Sequence, residues 1–138
     1  MKIDIKLLNA EIQQNPFDSF MHFQVIEAED DKLVLTFHNK GVTWNNPNQT
    51  MYGGVLYAMA DSAMALACKA CGKVVVTLDL AMNYLSPALP DTIIYAHVHL
   101  IHQGRTTVVG LCDFYDNNKR YLAHGRGTFF VMSTTANG

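Results

Sequence analysis

Asp61 stands in the least charged stretch of the chain. From Val55 to Cys71 only Asp61 and Lys69 carry charge, and alanine, leucine and methionine fill most of the rest. Its helical neighbours on the same face, Tyr57, Ala58, Met64 and Ala65, include no cation. A carboxylate buried without a partner is costly even after relaxation. Two readings follow: Asp61 pairs with a distant arginine or meets solvent at a seam, or it is held in an apolar cleft as a nucleophile or general base. In the second, desolvation raises its basicity. Gly53-Gly54 directly precede this run. Glycines at a helix entrance leave backbone N–H groups unobstructed at the positive end of the dipole, where they can bind a developing oxyanion. A simple turn that needs glycine for its backbone angles fits the pair as well.

The elements that must hold these groups are legible in outline. Ile5, Leu8 and Ile12 recur at helical spacing up to Asn15-Pro16, which predicts an N-terminal helix within residues 1–15. His22 to Ala28 and Lys32 to His38 read as strands around the acidic break Glu29-Asp30-Asp31, and Gly41 to Gln49 as a loop. Val55 to Cys71 is too short for the usual ~20-residue membrane span and carries a central aspartate. A helix apolar nearly all round is instead one buried in its own fold. Four strands follow: Lys73 to Leu85, Thr92 to His102, Thr106 to Tyr115 and Arg120 to Met132. Turn chemistry at Gln103-Gly104-Arg105 and Asp116-Asn117-Asn118-Lys119 makes them antiparallel. The expected fold is α+β, a single domain over residues 1–138 with an antiparallel sheet wrapped around the central helix and a frayed tail from Thr134 to Gly138.

Composition narrows the function classes. The chain has 138 residues, 49% hydrophobic and 16% charged, with a formal charge of −2. That excludes a disordered polymer and leaves no nucleic-acid footprint in the totals. Three cysteines, an odd number, argue against a secreted disulfide framework. The N-terminus has no signal-peptide core, so a soluble, cytoplasmic domain is expected, with no membrane partner.

Asn46-Pro47-Asn48-Gln49-Thr50-Met51-Tyr52-Gly53-Gly54, followed by Ala60-Asp61-Ser62-Ala63, resembles the hotdog-fold acyl-CoA thioesterases of the phenylacetate-pathway type. Thr77 to Pro87, His102-Gln103-Gly104-Arg105-Thr106 and Ala123 to Thr128 resemble later segments of the same family, in order from about Phe17 to Val131. The resemblance implies hydrolysis of acyl-CoA thioesters with no separate cofactor. It makes Asp61 base or nucleophile, gives the Gly53 N–H the thioester carbonyl, and has Asn46 and Thr77 place water. Tyr52 stands where the family has histidine, which keeps a hydrogen-bond donor while losing a titratable ring.

Gly53 and Asp61 are eight residues apart, about 12 Å along a helix axis. One helix therefore cannot present both to one thioester. The expectation is a homodimer, or a homotetramer built from it, in which each site takes Gly53 from one subunit and Asp61 from the other. The resemblance implies the same dimer. Tyr52, Gly54, Met82, Arg105 and Arg126 are the expected substrate contacts, the arginines toward coenzyme A phosphates. Met51, Met59 and Met64 could line an acyl pocket or fill core. Cys68-x-x-Cys71 and the His97/His99 pair have ligand-like spacings, but no further ligand is fixed, and no metal is expected. The competing function is a hotdog module that binds acyl-CoA without hydrolysing it.

Overall fold

The computed structural model describes residues 3–135. The N-terminal helix, α1 (Ile5–Gln14), starts where Asp4 accepts the Lys6 N–H, and it buries Leu8 and Ile12, the face expected from spacing. A second helix follows at once, α2 (Pro16–Phe20), which periodicity over five residues could not reveal. Its start follows from local chemistry: the Asn15 side chain accepts the Phe17 and Asp18 N–H groups, and Pro16 occupies the first turn. Edge-to-face contacts from Phe17 to Phe23, Phe23 to Phe37, Phe37 to Trp44 and Trp44 to Phe20 pin α2 to the body, with ring centroids 5.7–6.3 Å apart.

The strands are β1 (Gln24–Glu29), β2 (Lys32–Asn39), β3 (Lys73–Tyr84), β4 (Thr92–Gln103), β5 (Thr107–Asp116) and β6 (Tyr121–Thr134). They form one antiparallel sheet in the order β1-β2-β4-β5-β6-β3. The long helix α3 (Gly53–Ala70) packs against five of its strands, β2 to β6, so the expected α+β hotdog arrangement is what the chain adopts. The first strand starts at Gln24 rather than His22, because His22 takes a left-handed backbone (φ 57°) that breaks an extended run.

The core lies between α3 and the sheet. Met59, Ala60, Ala63, Met64 and Cys68 are fully enclosed there. Of the four methionines singled out, Met59 and Met64 fill core and Met51 is also buried, while Met82 is half-buried on β3. Gly127 lets the sheet approach the helix closely. A Cβ there would lie 2.9 Å from Phe129 Cε1 and 3.1 Å from Met64 Cε.

Two consequences bear on function. First, β3 is an edge strand of twelve residues, and Val74, Val76 and Leu78 are exposed along it. Second, Thr134 closes β6 and the Thr135 N–H donates to Gly72 O, while residues 136–138 of the expected frayed tail lie outside the described residues. No described helix is long and apolar enough to cross a membrane.

Candidate active site

The entrance of α3 is built by its preceding loop. Asn46 closes that loop on itself: its N–H donates to Thr50 O, its Nδ2 to Thr50 Oγ1 (2.8 Å), and its Oδ1 accepts the Asn48 and Thr50 N–H groups. The Met51 and Tyr52 N–H groups are bound by Ala88 O and Trp44 O. Tyr52 is the N-cap residue, yet its side chain caps nothing and is 64% exposed. The first N–H groups of the helix, those of Gly53 and Gly54, are therefore left without a side-chain acceptor. Tyr84 Oη donates to Gly53 O at 2.8 Å and steadies the turn from β3. A Cβ at Gly54 would lie 2.7 Å from the ring of the exposed Tyr52. A cleft of about 340 Å³ opens here, with Gly53, Leu56, Tyr84 and Leu85 on its walls.

Asp61 lies two turns further along α3 and faces a different cleft, of about 300 Å³. Asp61 is half-buried, at the seam between α3, α2 and the edge strand β3, so of the readings above it is contact with solvent at a seam that describes its place. A helix covered by a sheet on one side keeps its apolar face inside, and Asp61 occupies the flank that meets only the edge strand of that sheet. Thr77 Oγ1 donates to Asp61 Oδ1 at 2.5 Å, leaving the other oxygen open to the cleft. Among the described residues no ion pair involves Asp61, so the distant-arginine alternative is not what the chain does. Thr77 is exposed on β3 beside a register shift between Thr77 and Asp79, which re-aims the strand at this point.

The structure thus brings Asp61 and Thr77 together and leaves Gly53 at the other cleft. Asn46 and Tyr52 belong to the entrance and line neither cleft. Met82 faces Gly125 on β6, where an added Cβ would meet its sulfur at 2.6 Å. Arg105 is exposed in the β4–β5 turn and Arg126 on β6, and neither lines these clefts.

Sequence reasoning missed Asp18 and Ser62. Asp18 is 3% exposed on α2, and Ser62 Oγ donates to its Oδ1 at 2.6 Å. Both line the Asp61 cleft. Burial pushes the Asp18 carboxyl above its usual range, the Ser62 hydrogen bond pulls it down, and the neighbouring Asp61 charge pushes it up again. The helix-start signal at Asn15-Pro16 was the available clue, but nothing local says which way Asp18 faces.

The other constellations stand apart. Burial pushes the Cys68 thiol up to about 12, which holds it protonated, and Cys71 Sγ donates to Asp30 O at 3.3 Å. His99 Nε2 is 3.0 Å from Asp31 Oδ2, and His97 packs edge-on to Tyr115. Among the described residues no group of three His, Cys, Asp or Glu side chains could hold a metal ion.

Residues 48–123, more than half the chain, match the Thioesterase superfamily. The chain is 28% identical to the acyl-coenzyme A thioesterase PaaI of Escherichia coli over 67% of this chain, and the match spans 66% of that relative's length. It is 32% identical to acyl-coenzyme A thioesterase 13 of Mus musculus over 75% of this chain and 76% of that one. A hypothetical thioesterase from Streptococcus pneumoniae, solved with coenzyme A, superposes with a TM-score of 0.84 at 24% identity, covering 92% of this chain and 98% of the other. With its helix-in-sheet architecture and these matches, the chain belongs to the Thioesterase superfamily, as a hotdog protein similar to PaaI.

Proposed function

We propose that this protein hydrolyses acyl-CoA thioesters at a site shared by two copies of the chain. The observation that carries the reading is Asp61, fixed by Thr77 in an open cleft two helical turns from the free N–H groups at Gly53. The two named relatives are acyl-coenzyme A thioesterases, and the Streptococcus pneumoniae structure holds coenzyme A, which supports the substrate class.

The two halves open into different clefts, so a second protomer is needed to join them. Edge strand β3 is the natural seam. An exposed apolar edge of this length pairs with another strand unless charge or proline blocks it. Strand β3 has no proline, and only Lys73 and Asp79 are charged. Antiparallel pairing of β3 with its copy gives a homodimer, and a homotetramer when dimers pair again.

In the reaction, the Gly53 N–H of one protomer polarises the thioester carbonyl, and Gly54 shares the positive helix end. Asp61 of the other protomer takes a proton from water, the water oxygen bonds to the carbonyl carbon, and the carbon–sulfur bond breaks. The proton then leaves with the coenzyme A thiolate. If Asp61 attacks directly, an acyl anhydride forms first and water cleaves it. Thr77 holds one Asp61 oxygen so that the other faces the substrate. Asn46 orients water through its remaining amide hydrogen. Tyr52 and Met82 contact the acyl-pantetheine arm, and Arg105 and Arg126 meet the phosphates. No cofactor is needed to balance this chemistry, and a coenzyme A substrate together with the chain's free cysteines Cys68, Cys71 and Cys112 suits a cytoplasmic setting.

The test is release of free thiol from a panel of aliphatic and aryl acyl-CoAs. Turnover with at least one of them is expected. Tight binding with no thiol released would replace this reading by a second, a non-catalytic acyl-CoA-binding module. Tyr52, exposed at the helix entrance in place of the family's histidine, is the observation that favours it.

A further inference from the structure

The Asp61 cleft carries a second carboxyl that the reaction above does not use. Asp18 is 3% exposed, and its side-chain partner is the uncharged Ser62 hydroxyl. A carboxyl in that setting costs stability, and an apolar residue of similar size would pack more cheaply. The chain nevertheless delivers it with care: Asn15 caps α2, Pro16 starts it, and the aromatic chain from Phe17 to Trp44 fixes its position.

Of the other charged groups on the cleft, Lys73 is a cation without a carboxylate partner among the described residues, and it acts on Cys68 and Cys71 at the far end of α3 rather than on Asp18. Glu11 from α1 and Lys69 from α3 pair with each other at 3.6 Å. Lys73 on β3 donates to Gly104 O at 3.4 Å. It stands four strand positions before Thr77, about 13 Å along an extended chain. What remains beside the reacting position is Asp61 with Asp18, two carboxylates in one small cleft.

We propose that Asp18 is a specificity-determining residue: with Asp61 it makes the cleft beside the reacting carbonyl doubly acidic, so that the site accepts neutral acyl groups and rejects those ending in a carboxylate. This rests on the acyl-CoA reading above. The same repulsion acts on the product. A neutral thioester enters, a carboxylate is left after the carbon–sulfur bond breaks, and Asp18 hastens its departure. A group held by hydrogen bonds alone could not make this distinction, because it would hold a carboxylate at least as well as the thioester. Like charges brought together at a low-dielectric wall cost enough to exclude the wrong ligand by about tenfold or more.

The experiment measures binding rather than turnover, so it stands apart from the thiol-release test. Two thioether probes are titrated into the whole protein at mildly alkaline pH: S-hexyl-coenzyme A and S-(5-carboxypentyl)-coenzyme A. The wild-type chain is expected to prefer the neutral probe by about tenfold or more. In Asp18→Asn, which keeps an acceptor for Ser62, that preference falls by about tenfold. Asp18→Ala should show the same collapse, which separates charge from packing. A merely structural Asp18 would weaken both probes alike and leave their ratio unchanged. An unchanged ratio in both variants, or equal binding of the two probes by the wild-type chain, would overturn the proposal. Failure of thiol release with the ratio intact would instead overturn hydrolysis and leave the charge filter standing.

Discussion

The two ends of the catalytic stretch of α3 are built by different physics. At the entrance, every feature is local: a loop closed by Asn46, a cap residue that does not cap, and two glycines whose N–H groups are left over. At Asp61 nothing local matters. Its partner Thr77 is sixteen residues away and its acidic neighbour Asp18 forty-three residues back, on separate elements. The entrance can thus be read from a short window of sequence, whereas the chemistry at Asp61 exists only once α2, α3 and β3 have packed.

This contrast can be broken at either end. The largest effect is expected from Asp61→Asn, which should lower turnover by about 10²–10⁴-fold while the far-UV circular dichroism and the oligomer stay unchanged. Retained turnover would remove Asp61 from the mechanism.

Mixing experiments then ask whether the two ends act together across protomers. Gly53→Pro deletes the entrance N–H while proline remains tolerated in the first turn. Alone, it should be as silent as Asp61→Asn. Co-refolded in equal amounts, the two variants form mixed dimers in which one site has both groups intact, and about a quarter of wild-type activity should return. No recovery in verified mixed dimers would place both groups in one chain.

Thr77→Val removes the donor to Asp61 and should cost about tenfold in kcat with KM little changed, read by steady-state kinetics. At the entrance, Tyr84→Phe deletes the bond to Gly53 O, and chemical denaturation should show a loss of about 0.5–1.5 kcal/mol.

The smallest effect concerns Asp18 and the pH dependence of stability. Its folded carboxyl is raised, by burial first, so the native state binds a proton more tightly than the unfolded chain. Stability from this group is therefore present at acid pH and lost as pH rises through its folded value. Asp18→Asn should raise Tm at neutral pH by a few degrees at most, about 2–4 °C. The gain should vanish below the ordinary aspartate range, and a constant gain at every pH would refute the linkage.

Much of the fold was legible. The apolar run ending at Cys71 announced a buried helix, and alternation with turn chemistry placed the later strands to within a residue or two. The second helix was not, because five residues carry no measurable period and its signal is a single capping side chain. The Asp61 environment was half legible. An isolated carboxylate among apolar residues flagged the position, but its half-exposure depended on how α2 and the edge strand β3 close around that flank of α3.

What the amino-acid order determined alone is therefore the inventory and its spacing: one central helix, two glycines at its mouth, and a carboxylate two turns on. Periodicity and capping act over a few residues, so they are written locally. Tertiary packing decided that β3 lies at the sheet edge, that Thr77 reaches Asp61, and that Asp18 turns inward beside it. Those are contacts between distant segments, set by how surfaces fit once the chain has closed on itself.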